Sequence, residues 1–312
     1  MKYFFILGSN PTLSIAEISA VFGLDKKDNS PTRGPISLSN NFLTLETGQE
    51  INTKDLIKKL GGTIKIGIIN EESLVLDKEK LLDKIKKIIE EINKKGKFNF
   101  GISYYGGKKF NEKPLAMEIK KYLRENGISS RWVTSREPVL SSVVVEQNGL
   151  ADGGMEIVLL NPPHPPLQGG QQRILIGKTL AVQPFKELSF RDYGRPARDD
   201  YSGMLPPKLA QIMINLALPH PSISPFLIRR GDGGEIILDP FCGSGTILTE
   251  AMLMGYKNII GSDISKKAVE NSGKNIQWIK ESYKLQATSY KLHNKNATEL
   301  SQFIKPNSID AI

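Results

Sequence analysis

The stretch that decides the fold is residues 235–250, which read EIILDPFCGSGTILTE. Three consecutive aliphatic residues run into Asp239, a turn with two closely spaced glycines follows, and helix-forming residues come next. This order predicts a β-strand, a tight loop and the start of a helix, which is the first half of a nucleotide-type βαβ unit. Because Gly243 and Gly245 have no Cβ, the backbone can turn sharply there and a ligand can lie against bare peptide.

The acidic residue at the end of this strand indicates which kind of ligand the loop accepts. A loop that binds phosphate would not place a carboxylate at its lip, whereas a loop that binds an amine or another cation would. Asp239 therefore favours S-adenosylmethionine, which carries a positive sulfonium and a free amino group. Asp263 ends the next predicted strand, 24 residues later (263 − 239). That is close to where βαβ nucleotide folds place the carboxylate that accepts the ribose hydroxyls.

Further elements extend this pattern towards the end of the chain. Residues 286–292 predict a third strand, Asn296 and Ala297 follow it where the adenine edge would lie, and residues 308–312 begin a fourth strand. A lone Gly-x-Gly is weak evidence, but the ordered set of loop, acids and strands predicts a doubly wound α/β domain that binds S-adenosylmethionine. The alternative is a flavodoxin-like or other doubly wound sheet without this cofactor.

Composition limits the remaining classes of protein. The chain has 312 residues, of which 39% are hydrophobic and 24% charged, as is typical of soluble globular proteins, and its formal net charge of +9 permits a polyanionic partner. Cys242 is the single cysteine, and the three histidines show no ligand spacing, so we expect no disulfide, no metal site and a reducing, cytoplasmic setting. No segment of the sequence has about 18 uninterrupted apolar residues, which is the length that a membrane span needs, so no span is expected.

Residues 1–70 predict a small α+β module. Residues 2–8 form an apolar run that is typical of a buried strand. The sequence Ser14-Ile15-Ala16-Glu17 matches a capping box, which predicts that a helix begins there. A loop at residues 25–35, further short strands and a short helix closed by glycines fill the rest of the module.

Residues 71–165 predict a second α+β module with basic helical faces. The helix that follows Pro114 carries cations opposite its apolar stripe; they are Lys113, Lys120, Lys121 and Arg124. Strands are predicted at residues 130–134, 141–146 and 155–160. The basic face is either an ordinary solvated helix surface or a surface for the RNA backbone. The proline-rich residues 161–170 then form a loop.

Two parts of the chain carry a resemblance to a known family. Residues 239–246, DPFCGSGT, are similar to the first motif of class I S-adenosylmethionine-dependent amino-methyltransferases. The preceding RDYGRPARD at residues 191–199 and GMLPPKLA at residues 203–210 resemble the THUMP-domain tRNA guanosine N2-methyltransferases of archaeal and eukaryotic type. The resemblance covers most of the chain, and its specific part runs from about residue 190 to residue 265.

This resemblance implies an α/β fold class with three parts. They are a ferredoxin-like module at residues 1–70, a THUMP-like RNA-binding domain at residues 71–165, and a Rossmann-like class I methyltransferase domain with an incomplete sheet at residues 166–312. The implied activity is S-adenosylmethionine-dependent methyl transfer to the exocyclic N2 of guanosine in tRNA. The implied partner is tRNA or another structured RNA, with or without a small activator subunit and without a membrane.

The resemblance also assigns roles to individual residues. The expected cofactor-binding residues are Asp239, Phe241, Gly243, Gly245, Asp263, Ile264, Asn296 and Ala297. Of these, Asp239 and the two glycines hold the methionine part, Asp263 holds the ribose, and Ile264 packs on the adenine. The family more often has Asp where Asn296 stands, but an amide oxygen still accepts from the adenine amino group. The expected RNA-binding residues are Lys120, Lys121, Arg124, Arg131 and Arg195.

The catalytic motif of the family, an Asp/Asn-Pro-Pro-Tyr-like sequence after the fourth strand, is expected beyond Ile312, so the sequence is interpreted as a truncated part of a longer enzyme. Asn161-Pro162-Pro163-His164 looks superficially like that motif, but a proline-rich loop is the favoured interpretation. Two other functions stay open at this point. One is a DNA adenine or cytosine amino-methyltransferase, and the other is an RNA-binding protein with an inactive cofactor domain.

Overall fold

The protein is described here by a computed structural model. It describes residues 1–24, 32–39, 41–74, 77–90, 97–107, 110–137, 139–162, 173–199, 203–218, 234–285 and 289–312. The chain divides into two units. The first unit comprises residues 1–11, 31–57 and 63–183, and the second comprises residues 12–30, 58–62 and 184–312. None of the helices within the described ranges is long and apolar enough to cross a membrane.

Strands and helices are interspersed along the described part of the chain. The strands are β1 Lys2–Leu7, β2 Thr32–Leu38, β3 Phe42–Thr47, β4 Thr63–Ser73, β5 Phe98–Tyr105, β6 Ser130–Val133, β7 Met155–Leu160, β8 Ile174–Val182, β9 Ile236–Asp239, β10 Asn258–Asp263 and β11 Ser289–Asn294. The helices are α1 Pro11–Phe22, α2 Thr53–Leu56, α3 Lys78–Glu90, α4 Lys113–Glu125, α5 Ser142–Gln147, α6 Phe185–Tyr193, α7 Pro207–Ala217, α8 Thr246–Met254 and α9 Lys266–Tyr283. A 3₁₀ helix follows at Ala297–Gln302.

The first unit is organised around one mixed sheet of eight strands. Its order is β2-β3-β1-β4-β8-β7-β5-β6. The two predicted N-terminal modules share this sheet, because β4 pairs antiparallel with β8 over a long register from Lys65 to Ser73. The apolar stripes of α3 and α4 pack with β5 and β7 to form a core that includes Ile85, Phe100 and Ile119. Strands from both sides of the predicted boundary at residue 70 therefore contribute to one sheet.

A buried ion pair lies within this sheet. The Lys65 ammonium donates to the Glu156 carboxylate and to the Leu140 carbonyl, and both charged side chains are excluded from solvent. The Ser103 and Thr179 hydroxyls donate to the same carboxylate. Removing two charges from water costs several kcal/mol per ion, and only a fully hydrogen-bonded pair offsets that cost. The Lys65 ammonium and the Glu156 carboxylate are both hydrogen-bonded to further groups, so we interpret this network as a structural feature of the first unit.

Three sequence expectations in the N-terminal half are wrong. The predicted loop at residues 25–35 overlaps strand β2, which begins at Thr32, and residues 25–31 lie outside the described residues. The predicted strand at residues 141–146 is wrong because residues 142–147 form helix α5, which the Ser141 side chain caps by accepting from the Val144 amide. Ser14 and Glu17 do not form a capping box, because helix α1 already begins at Pro11. The Ser14 hydroxyl donates to the Gly62 carbonyl, and the Glu17 carboxylate accepts from the Gly62 amide within the second unit.

The second unit contains a parallel sheet in the order β11-β10-β9. β10 pairs with β9 on one side and with β11 on the other, and a parallel bridge joins Ile237 of β9 to Ala311. Helices α8 and α9 provide the crossovers between these strands, and their apolar faces form a core with Ile214, Ile237, Leu248 and Ile276. Strands joined by helices in this order form a Rossmann-like α/β fold, which confirms the predicted fold class.

Helix α1 also belongs to the second unit from Thr12 onward. The Glu17 carboxylate is fully buried, and it accepts from the Gly61 and Gly62 amides and from the Asn215 side-chain amide. Burial raises the pKa of Glu17, and these hydrogen bonds oppose the rise. Asn215 lies on α7, so the N-terminal helix is fixed to an element almost 200 residues later in the sequence.

Candidate functional site

The glycine loop between β9 and α8 is the centre of the candidate site. The Cys242 amide donates to the Ser262 carbonyl of β10, and the Gly245 amide donates back to the Cys242 carbonyl, which closes a tight turn. Gly243 and Gly245 have φ values of +52° and +86°, in the left-handed region that favours glycine. A Cβ at Gly245 would also lie 2.4 Å from the Ser272 hydroxyl. The turn therefore requires glycine, as the sequence predicts.

Asp263 connects the end of β10 to this loop. One carboxylate oxygen accepts from the Gly243 amide at 3.0 Å, and the other accepts from the Ser265 amide at 2.8 Å. The Asn294 side chain donates to the main-chain carbonyls of Asp263 and Ile264. The carboxylate is thus held in one orientation beside the glycine loop, and an oxygen has further lone pairs to accept from a ligand hydroxyl.

Asp239 lies at the end of β9 and is largely buried, with 9% of its surface exposed. One of its oxygens accepts from the Phe241 amide at 3.1 Å. Burial raises the pKa of Asp239 from 3.8 to about 6, and the nearby negative charge of Asp263 adds to the rise. A carboxylate whose ionised form is disfavoured by burial is stabilised by a cation placed beside it.

Cys242 shares this environment. It is buried, and burial raises the pKa of its thiol from 9.0 to about 12, with a further contribution from the charges of Asp239 and Asp263. The thiolate is therefore negligible at neutral pH, and Cys242 acts as a small apolar residue of the loop.

A cavity of about 520 Å³ opens beside the loop. Asp239, Phe241 and Gly243 line it on one side. Helix α7 and the residues before it provide an apolar wall, which consists of Met204, Leu205, Met213, Ile214 and Ala217. Cavities that bind small molecules have about this size, are mostly apolar, and contain a few polar groups that orient the ligand. The sequence predicts an apolar face on α7 but does not indicate that part of it faces a cavity.

A buried polar network fixes the helix that begins at the glycine loop. The Arg191 guanidinium donates to both oxygens of Glu250 on α8, at 2.6 and 3.1 Å, and Gln211 of α7 donates to the same carboxylate. Burial raises the pKa of Glu250, and the Arg191 charge opposes the rise. Because α6, α7 and α8 all meet at one carboxylate, the network determines how α8 and its preceding loop are positioned.

Arg195 belongs to the same network, which corrects one of the predicted roles. It is 7% exposed, and its guanidinium donates to the Thr246 hydroxyl at 2.7 Å and to the Arg191 carbonyl at 3.1 Å. A guanidinium that is buried and hydrogen-bonded inside the protein does not reach a phosphate at the surface. The assignment of Arg195 to RNA contact is therefore replaced by a role in positioning Thr246, the first residue of α8.

Asn275 of α9 fixes the loop after α6 to the glycine loop. Its side-chain amide donates to the Ala197 and Ser244 carbonyls, and its oxygen accepts from the Ala197 amide. Asn275 and Arg195 therefore both hold residues 195–198 against the glycine loop and the start of α8. The sequence gives no local signal for this contact, because Ala197 and Asn275 are far apart in the chain.

The remaining predicted cofactor residues follow β10 and β11 and, like Gly245 and Asp263, do not line the cavity. Ile264 is 72% exposed, directly after Asp263. Asn296 and Ala297 lie at the start of the 3₁₀ helix, where the Asn296 oxygen accepts from the Thr298 amide at 3.0 Å. That oxygen was expected to accept from adenine, and here it caps a helix. Its second lone pair can still accept a hydrogen bond.

The predicted RNA-contacting residues of the first unit lie together. Lys120, Lys121 and Arg124 are exposed on α4 and line a second cavity of about 550 Å³. Ser129 and Ser130 line it as well, and Arg131 is exposed on the adjoining strand β6. Asn161, from the segment that resembles a catalytic motif, donates to the Tyr104 hydroxyl in this unit, and the rest of that segment, from residue 163 onward, lies outside the described residues.

Comparison with known proteins gives one family. The model of a family described as DNA methylase matches residues 47–275 of the 312-residue chain. The match includes the glycine loop, both aspartates and the buried arginine network. It extends back into the first unit, so it covers far more than the loop motif.

Two curated proteins from methanogenic archaea are similar to parts of the chain, and both are named tRNA (guanine(10)-N2)-dimethyltransferase. The protein from Methanothermobacter thermautotrophicus is 43% identical over 106 residues, which is 34% of this chain and 27% of that protein. The protein from Methanocaldococcus jannaschii is 31% identical over 144 residues, which is 45% of this chain and 36% of that protein. The aligned regions thus span between about a quarter and about a third of these relatives.

Among solved structures, the crystal structure of TrmN from Thermus thermophilus aligns with a TM-score of 0.49 and 14% sequence identity. The alignment covers 97% of this chain and 76% of that chain.

Proposed function

The chain belongs to the DNA methylase family, and from that premise we propose that it is part of an S-adenosylmethionine-dependent methyltransferase whose substrate is tRNA. The proposed reaction is transfer of a methyl group to the exocyclic N2 of a guanosine. Position 10 is the target that the names of the two archaeal relatives give. The observation that carries the proposal is the pair of carboxylates, Asp239 and Asp263, at a glycine loop that requires glycine.

The residues present fit the proposed cofactor. A Cβ added at Gly243 meets nothing within 4 Å, so a ligand can approach this part of the loop closely. Asp239 offers a buried negative charge to the methionine amino group, and Asp263 offers oriented acceptors to the ribose hydroxyls. Ile264 and Phe241, both largely exposed, offer apolar surface to the adenine and the methionine part. S-adenosylmethionine would supply an electrophilic methyl group on its sulfonium.

The protein's contribution to the reaction is positioning. An exocyclic guanine amine is a poor nucleophile because its lone pair is delocalised into the ring. Most of the rate must therefore come from holding the amine in line with the methyl group. The buried Arg191–Glu250 pair and Arg195 fix α8, and through it the glycine loop. The apolar wall of the cavity would shield a ligand bound there from water.

We assign RNA binding to the first unit. Lys120, Lys121, Arg124 and Arg131 are exposed cations on neighbouring elements of that unit, and cations in such an arrangement bind phosphates with release of counterions. The functional division proposed is an N-terminal module at residues 1–70, a THUMP-like domain at residues 71–165 and a methyltransferase domain at residues 166–312. A tRNA-modifying enzyme of this kind would work in the cytoplasm.

DNA is the second candidate substrate, because the matching family is described as DNA methylase. An assay with tritium-labelled S-adenosylmethionine distinguishes the two. The protein is incubated with unmodified tRNA or with duplex DNA, and labelled nucleosides are identified after digestion. N2-methylated guanosine from tRNA is expected, and the Asp263→Ala variant serves as the inactive control. Label in DNA adenine or cytosine, with none in tRNA, would contradict the proposal.

Cofactor affinity is expected to depend on pH through Asp239. The cofactor's amino group binds the ionised carboxylate, whose pKa is raised to about 6, so affinity is lost as the pH falls through that value. One proton is involved, so affinity should fall about tenfold between pH 7 and pH 5. Calorimetric titration at several pH values measures this, and Asp239→Asn is expected to bind weakly and without the pH step.

The raised pKa of Asp239 also predicts a pH effect on the stability of the unliganded protein, and this effect is opposite in sign to the effect on cofactor affinity. A raised acid pKa means that folding favours the protonated form. The unliganded protein is therefore destabilised as the pH rises from about 4 to about 6, by roughly 3 kcal/mol. Asp239→Asn should accordingly raise the melting temperature of the unliganded protein at pH 7. An unchanged or lower melting temperature would mean that burial of the ionised Asp239 carboxylate does not destabilise the folded protein.

A further inference from the structure

An exposed aromatic and cationic surface lies where α6, the loop after it and α9 meet. We call it the Tyr193 surface and define it by Phe190, Tyr193, Arg198 and Trp278. Tyr193 is 70% exposed and Phe190 is 44% exposed, which is unusual for large aromatic side chains. Residues 190 and 193 are three positions apart at the end of α6, so they lie on neighbouring parts of one helical face.

The rings of this surface are held in place by specific contacts. The Arg198 guanidinium carbon lies 5.7 Å from the centre of the Tyr193 ring. The same guanidinium donates to the Asp192 and Tyr193 carbonyls at 3.1 and 3.2 Å. Phe190 contacts Trp278 of α9, with 4.8 Å between ring centres. The exposed ring of Tyr193 is therefore backed by a fixed cation.

Hydrogen bonds connect the Tyr193 surface to the glycine loop. Arg195, two residues after Tyr193, donates to Thr246, and Asn275 joins Ala197 to Ser244 of the glycine loop. Further along the chain, Gly203 and Met204 line the cavity beside that loop. Residues 190–198 thus carry the exposed aromatic residues and are hydrogen-bonded to the first residue of α8 and, through Asn275, to the glycine loop.

The charge of this surface favours a polyanion. Two of its acidic neighbours, Glu187 and Asp192, lie 4.0 Å from the Arg191 guanidinium and 3.8 Å from the Arg195 guanidinium. Exposed cations on the same elements are Lys186, Arg198 and Lys274. Exposed aromatic rings with interleaved cations are typical of surfaces that bind unpaired nucleotides, where the ring stacks on a base and the cations contact phosphates.

We propose that the Tyr193 surface stacks an unpaired base of the substrate RNA that flanks the target guanosine. This proposal rests on the function proposed above, and it adds an RNA contact on the second unit. Stacking at this fixed ring would hold the RNA strand while the target base is unstacked, and every base has a face that can stack.

Binding of fluorescently labelled tRNA to the full chain tests this proposal, measured by anisotropy at several salt concentrations. Tyr193→Ala is expected to weaken binding by about five- to a hundredfold, the loss typical of one base–aromatic stack, with little change in the salt dependence. Tyr193→Phe keeps the ring and should bind within about threefold of the wild type. Arg198→Ala should reduce the slope of log affinity against log salt by about one.

Two controls separate folding and function from stacking. The Tyr193 variants should keep the wild-type affinity for S-adenosylmethionine and the wild-type melting temperature, and Glu270→Ala, an exposed change elsewhere on α9, should leave RNA binding unchanged. If the wild-type chain does not bind tRNA, the proposed function itself fails. If the wild type binds tRNA and Tyr193→Ala binds equally well, only the stacking proposal is overturned. It is also overturned if Tyr193→Ala loses self-association in sedimentation instead, since the surface would then bind a second copy.

Discussion

Replacement of Asp263 by alanine is expected to weaken S-adenosylmethionine binding by a hundredfold or more. In the proposed complex both ribose hydroxyls donate to this carboxylate, and a hydrogen bond to a charged group contributes about 1.5–3 kcal/mol. Loss of two such bonds gives about 3–6 kcal/mol, and about 2.7 kcal/mol already corresponds to a hundredfold change. The carboxylate also orders the loop by accepting from the Gly243 and Ser265 amides, so the unliganded site is less well formed without it.

Titration calorimetry measures this effect, with Glu270→Ala as a matched control, since Glu270 is an exposed carboxylate on the helix that follows Asp263. Asp263→Asn should fall between the wild type and alanine, because the amide keeps one oxygen acceptor and loses the charge. An affinity of Asp263→Ala within about threefold of the wild type would contradict the assigned role, since even one lost hydrogen bond of this kind exceeds that change.

The second large effect is expected for Arg191→Met. Methionine fills a similar volume but leaves the Glu250 carboxylate, 1% exposed, without its bidentate partner. Removal of one member of a buried ion pair costs about 3–5 kcal/mol, because the remaining charge is uncompensated. The cost falls on the second unit, where this carboxylate joins α6, α7 and α8.

Urea unfolding followed by tryptophan fluorescence measures this loss. The chain has two tryptophans, Trp132 in the first unit and Trp278 in the second, so a Trp132→Phe background reports on the second unit alone. The double variant Arg191→Met with Glu250→Gln should recover part of the lost stability, because a neutral amide replaces the unpaired charge. Lys274→Met, an exposed change on α9, is the control. Equal unfolding midpoints for Arg191→Met and this control would show that the pair contributes nothing.

The local parts of the cofactor site could be predicted from the sequence. The predicted strand, glycine loop, helix and second strand correspond to β9, α8 and β10 almost residue for residue, because each is specified by its own apolar run and by glycines at fixed positions. The left-handed conformation of Gly243 and Gly245 follows from the same local pattern. Helix α9 begins at Lys266, where the Ser265 hydroxyl oxygen accepts from the Ala268 amide.

The parts that were missed depend on contacts between distant residues. Glu17 was interpreted as a capping residue, and its actual partner Asn215 is 198 positions away. Arg195 was interpreted as a surface cation, because its burial against Thr246 depends on how α6 packs beside α8. The valines of residues 141–146 predict a strand, but a single cap at Ser141 and the local packing stabilise helix α5 at residues 142–147 instead.

The most direct test of the proposed function is equilibrium dialysis of residues 1–312 against methyl-tritiated S-adenosylmethionine. A doubly wound fold with a glycine loop could bind any of several nucleotides, and the claim is that Asp239 and Asp263 restrict this one to S-adenosylmethionine. We expect one binding site per chain, competition by S-adenosylhomocysteine, and no competition by ATP or NAD. Binding of ATP or NAD without measurable binding of S-adenosylmethionine would contradict this claim.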